Sequence, residues 1–96
     1  MEEPVTIRQR IAEVLERECL DLRELSQLLG IKEKEALDHL QHVTKSLRPR
    51  RLSIEPAHCN RCSFSFRKRT RLSTPGHCPL CKSESISPPR FQIVET

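Results

Sequence analysis

With 96 residues, 35% of them hydrophobic, three Phe and neither Trp nor Tyr, the chain has room for one ordinary domain or two very small ones, and no large aromatic core. It begins Met1-Glu2-Glu3-Pro4, not with a basic and then apolar leader, and no apolar run approaches the roughly 18 residues of a bilayer span. The expectation is therefore a cytoplasmic protein without membrane contact, whose five cysteines do not form a disulfide framework. The charge is split: Met1 to Leu47 carries seven Lys/Arg against ten Asp/Glu, a net −3, whereas Arg48 to Thr96 carries ten against three, a net +7.

In chain order, Val5 to Glu18 places Ile7, Ile11, Val14 and Leu15 at the i, i+4, i+7, i+8 spacing of an amphipathic helix. Cys19 and Leu20 make a short apolar step in which Cys19 reads as a small buried side chain. Asp21 and Glu24 then form the two halves of a capping box. The helix they open carries Leu22, Leu25, Leu28 and Leu29 and stops at Gly30, a residue that accepts the left-handed C-terminal position. Ile31 and Lys32 lead into a third periodic segment, Glu33 to Leu47, with Ala36, Leu37, Leu40, Val43 and Leu47 on one face and Pro49 as its stop.

Two helices joined by a short Gly-containing turn and covered by a third have the arrangement of a helix-turn-helix. Arg50 to Ile54 has period-two apolarity and suits a short strand in the place of a wing. At about 100° per residue, Lys34, Asp38, His42 and Lys45, with Gln41 at the margin, fall opposite the apolar stripe of the third helix. Such side chains suit base edges and phosphates. Three amphipathic helices also pack together in proteins that never meet nucleic acid, and from Lys32 to Leu47 three Lys are cancelled by Glu33, Glu35 and Asp38.

His58-Cys59-Asn60-Arg61-Cys62 is matched by His77-Cys78-Pro79-Leu80-Cys81, giving CxxC, fifteen residues, CxxC, a spacing read as a zinc site. Each CxxC turn aims two sulfurs at one point, and two turns complete a tetrahedron. Four sulfurs close the shell, so Cys59, Cys62, Cys78 and Cys81 are expected to hold one structural zinc ion without an open position for substrate. His58 and His77 are then polar residues beside the knuckles. Four thiolates with one Zn²⁺ add −2, which lowers the C-terminal half to about +5 and the chain to about +2.

Ser63 to Arg69 alternates like a strand with Phe64 and Phe66 on one face, and Arg90 to Val94 does the same. This predicts a three-stranded ribbon whose core is too small to fold without metal. Arg67, Lys68, Arg69 and Arg71, with Arg48, Arg50 and Arg51, are candidates for a phosphate-facing patch, or else keep the ribbon soluble.

The order of parts resembles small prokaryotic predicted transcriptional regulators with an N-terminal winged helix-turn-helix domain fused to a C-terminal zinc ribbon. The most specific stretches are Ile54 to Cys62, Pro75 to Ser83 and Pro89-Arg90-Phe91, and the ribbon is similar to those of archaeal and eukaryotic transcription initiation factors. The resemblance implies an α+β fold, divided as residues 1–55 and 56–96. It also implies DNA binding through the helix Glu33 to Leu47 and metal held by the four cysteines. One feature departs from an ordinary winged helix: no Gly- or Asn-bearing turn separates Pro49 from Ile54, so the ribbon is the element left to pack where a wing would be.

Double-stranded DNA is accordingly the first expected partner, and a homodimer is compatible with so small a module. The alternatives are a module docking on transcription or translation machinery, and an iron-binding redox carrier. No nucleophile and base pair up and no phosphate-cradling glycine loop occurs, so catalysis is not expected.

Overall fold

The computed structural model describes residues 6–47 and 50–95. It is α+β: α1 (Ile7–Arg17), α2 (Leu22–Leu29), α3 (Glu33–Lys45), then β1 (Arg51–Glu55), β2 (His58–Cys59), β3 (Ile86–Ser87) and β4 (Arg90–Val94). Val5, the expected start of the first helix, and Pro49, the expected stop of the third, fall outside the described residues; α1 ends at Arg17, one residue before the expected Glu18, and α3 at Lys45, two before the expected Leu47.

α1 begins at Thr6, whose Oγ1 accepts the Gln9 N–H (3.1 Å) while Gln9 Oε1 accepts the Thr6 N–H (2.9 Å). This capping box satisfies two of the first-turn donors that a helix leaves unpaired. α2 begins at Asp21 with the same reciprocal pair to Glu24, 2.8 and 3.1 Å, and ends where Gly30 turns left-handed at φ 67°. α3 follows with Lys32 as N-cap, which gives no side-chain cap. Glu33 and Glu35 in its first turn and His42 and Lys45 in its last complement the helix dipole instead.

Ile11, Leu15, Leu22, Leu25, Ala36, Leu40, Val43 and Leu47 form the buried core of the three helices. Leu72, Phe91 and Ile93, from the far end of the chain, are buried in the same cluster. β4 explains how they arrive there. It pairs antiparallel with β1 in the register Arg51↔Val94 to Glu55↔Arg90, and on its other side Phe91 bridges Leu20, N–H to carbonyl in both directions at 2.9 and 2.7 Å. The strand therefore lies between β1 and the α1–α2 connection and packs on α1. Its inward residues, Phe91 and Ile93, sink into the helices.

The ribbon departs from the expected three strands. Among the described residues β2 pairs with β3, as His58↔Ser87 and Cys59↔Ile86, and on its other side Ser63 to Arg69 contributes a single antiparallel bridge, His58↔Ser65, flanked by Cys59 N–H to the Phe64 carbonyl (2.8 Å) and Phe66 N–H to the Ala57 carbonyl (2.9 Å). Ser63 has φ 65°, which turns the chain, and Arg69 N–H closes back on the Phe66 carbonyl at 3.2 Å. Phe64 and Phe66 do meet, edge to face with centroids 5.0 Å apart. β4 leaves the ribbon and pairs with β1, because its apolar face finds more to bury on the helices than on a sheet this small.

Cys19 is half-buried, not fully enclosed, with its Sγ 3.9 Å from Glu55 Oε2. Desolvation is the largest cause of its raised pKa, opposed by Arg90. Among the described residues, no helix is long and apolar enough to cross a membrane.

Candidate metal centre

Each CxxC turn is built by the same backbone pattern. Ser63 N–H donates to the Cys59 carbonyl (3.0 Å), and Lys82 N–H to that of Cys78 (2.9 Å). The first cysteine of each pair also donates its N–H beyond the turn, Cys59 to the Phe64 carbonyl and Cys78 to the Ser83 carbonyl, both at 2.8 Å. The residue after each second cysteine is left-handed, Ser63 at φ 65° and Lys82 at φ 61°. Neither is glycine, and a left-handed L-residue costs on the order of 1–2 kcal/mol. That cost is accepted because the reversal lets two sulfurs of one turn face the same point.

All four Sγ atoms lie within 4.8 Å of one another. Cys59 and Cys81 approach to 3.5 Å, as do Cys62 and Cys78. A tetrahedron with Zn–S bonds of about 2.3 Å separates its sulfurs by roughly 3.8 Å, so the cage has the size of a zinc ion. Arg61 N–H points at Cys59 Sγ and Leu80 N–H at Cys78 Sγ, each at 3.4 Å. These donors favour thiolate over thiol.

The cysteines perturb one another's protonation. The N–H of Cys62, helped by that of Arg61, outweighs burial and lowers Cys59 to about 6. The Phe64 N–H draws Cys62 down, yet its contact with Cys78, together with desolvation and the other sulfurs, drives it up to about 12. Burial pushes Cys78 up, but the amides of Cys81 and Leu80 and the neighbouring thiols leave it below its ordinary value. Four thiolates this close repel one another. A dication removes the conflict. Cys59 and Cys78 are buried, Cys62 and Cys81 exposed, so the site sits at the surface of the ribbon with one flank in protein. His58 and His77 are exposed and stand outside the sulfur cluster.

The other sequence candidates separate into groups. Lys34, Asp38, Gln41, His42 and Lys45 are all exposed on α3, and His42 Nε2 lies 4.0 Å from Asp38 Oδ1. Arg48 lies outside the described residues. Arg50 forms an ion pair with Glu16 of α1, and Arg69 folds onto its own loop, Nε to the Ser73 carbonyl at 3.3 Å and Nη2 to Ser73 Oγ at 3.1 Å. Arg67 and Lys68 are exposed and lie outside the cleft that gathers Gln41, Lys45, Arg50, Arg51 and Arg71. Thr44, Leu52, Ile54, Thr70, Leu72 and Ser73 complete that cleft, and none of them is a site candidate from the sequence, where Leu52 and Ile54 read only as the apolar positions of a strand. The one available signal was a pair of hydroxyl residues, Thr70 and Ser73, flanking Arg71 and Leu72.

Helices with a buried stripe, followed by a ribbon whose four cysteines bind one structural zinc ion, define a small zinc-ribbon protein. Comparison with protein families matches residues 6–53 to the model described as "PF0610-like, N-terminal". Residues 56–96 match that of the "PF0610 rubredoxin-like zinc beta-ribbon domain". The chain belongs to this PF0610-like family. Its fold is similar to the solution NMR structure of protein PF0610 from Pyrococcus furiosus, with 30% identity, a TM-score of 0.79, and coverage of 100% of this chain and 95% of that one. Among curated proteins no relative matches.

Proposed function

We propose that the protein is a DNA-binding transcriptional regulator of the winged helix-turn-helix kind, with α3 as recognition helix and the zinc ribbon as a structural support. The observation that carries the reading is one continuous exposed row. Lys34, Asp38, Gln41, His42 and Lys45 run along α3, and the row continues from Gln41 and Lys45 onto Arg51 and Arg71. Base-reading side chains on a helix, flanked at one end by cations for phosphates, suit a duplex. The β1–β4 pair serves as the wing, with its second strand delivered by the ribbon in place of a hairpin. Arg67 and Lys68 extend the cationic side, whereas Arg50 and Arg69 are engaged within the protein. The four-sulfur shell has no position for substrate, which supports a non-catalytic role.

Titration of the zinc-loaded protein with a pool of random duplexes tests this. Binding is expected near 50 mM salt and should weaken steeply as salt rises, because phosphate contacts release counterions. Arg51→Gln and Arg71→Gln should each lower the salt slope by about 1. Absence of binding at low salt would overturn the reading.

A second reading, docking on transcription or translation machinery, is favoured by the charge balance of α3 and by Leu80. That side chain is 70% exposed at the tip of a knuckle, where protein contacts often place an apolar anchor. A partner whose binding is abolished by Leu80→Ser, together with failure of every duplex, would decide for it.

A further inference from the structure

The cleft between α3, β1 and the Thr70–Ser73 loop has a lining that a phosphate strand would use only in part. Its volume is about 950 Å³, within the range of sites that take small molecules. The floor is apolar, made by Leu52, Ile54 and Leu72, and Ile54 keeps 39% of its surface exposed there. The rim is cationic. Lys45, Arg51 and Arg71 face the cleft, and no acidic residue is among those described as lining it. Among the described residues these three have no ion-pair partner, while the fourth cation, Arg50, is taken by Glu16.

The far wall is already built. Leu72 is 9% exposed and packs into the helical core, and the clasp of Arg69 on Ser73 holds the loop on either side of Arg71. A preformed wall spares the ligand the ordering of a loop.

We propose that this cleft binds a small amphipathic anion: an apolar body of ring or short acyl-chain size carrying a carboxylate, sulfonate or phosphate. A bare polyanion would pair the arginines and leave the apolar floor in water. A neutral apolar molecule would cover the floor and place nothing against the cations. Only a ligand with both parts satisfies both surfaces, and guanidinium groups suit a planar or tetrahedral oxyanion. Gln41, Lys45, Arg51 and Arg71 also belong to the proposed duplex-facing row. If that reading holds, an occupied cleft withdraws cations from DNA and the ligand weakens duplex binding.

The test needs no DNA, so its failure is distinct from failure of the regulator reading. Naphthalene-1-sulfonate, inorganic pyrophosphate and naphthalene-1-methanol are titrated separately into the ¹⁵N-labelled, zinc-loaded full chain. The sulfonate should give saturable amide shifts confined to the cleft, at Gln41, Thr44, Lys45, residues 50–54 and residues 70–73, with both controls binding at least about tenfold more weakly. Arg71→Gln and Ile54→Gln should each weaken the sulfonate by about tenfold, whereas Arg10→Gln, on the exposed side of α1, leaves it unchanged. Shifts that scatter or fail to saturate would overturn the proposal. So would pyrophosphate binding as tightly as the sulfonate, or Arg71→Gln behaving like Arg10→Gln.

Discussion

The helical half and the ribbon half are both too small to be comfortable alone, and they are held together by opposite means. The helices bury seven of their own apolar side chains, with Leu47 just past α3, in one cluster and have reciprocal caps at Thr6 and Asp21. The ribbon keeps little for itself. Ala57, Cys59 and Cys78 are buried in or beside the metal turns, while Leu72, Phe91 and Ile93 are committed to the helical core. One half is stabilised by apolar burial and the other by coordination, and β4 makes them one unit.

The comparison is broken most directly by removing zinc. Binding of structural zinc supplies an apparent ~10–16 kcal/mol in small metal domains, so chelation should unfold the ribbon. Because β4 is the strand between β1 and Leu20, the helical half should lose stability as well. Amide shift dispersion and the far-ultraviolet helix signal, followed together during chelation, should fall in step. A helical signal with unchanged denaturant midpoint in the metal-free chain would show the halves to be independent.

A smaller break targets the shared strand alone. Phe91 is fully buried, and Phe91→Ala should cost about 3–5 kcal/mol, comparable to the ~2–5 kcal/mol of Leu40→Ala in α3. Urea unfolding monitored by the helix signal tests this. If Phe91→Ala left the helices at their original midpoint, β4 would be a passive attachment.

The smallest effect sharpens the contrast. Asp21→Ala removes the α2 cap accepted from Glu24 N–H and should cost about 1 kcal/mol in global stability. Amide shifts around the four cysteines and the zinc content should stay as they are, since coordination does not depend on that cap.

Much of this was legible before any tertiary structure. The three helices followed from apolar periodicity, and both ends of α2 from Asp21, Glu24 and Gly30, because such signals are local to a few residues. Only the Thr6–Gln9 capping box passed unnoticed, though its residues stand at the expected spacing. The metal site was equally legible, since a CxxC pair defines its own turn and two pairs define a tetrahedron. The cleft was not. Its cations were visible in the sequence, but which of them remain unpaired depends on Glu16 reaching Arg50, and the loop that carries Arg71 is set by Ser73 receiving Arg69.

The amino-acid sequence by itself determined three amphipathic helices, two metal turns and the four zinc ligands, all of them products of short-range spacing. Only the tertiary structure decided where β4 goes. Its alternation of Phe91 and Ile93 with polar residues reads the same whether its partner is a ribbon strand or β1, so local pattern cannot choose between them. The choice falls to β1 and the helices, where Phe91 and Ile93 leave water almost entirely and each buried side chain is worth about 1.5–3 kcal/mol.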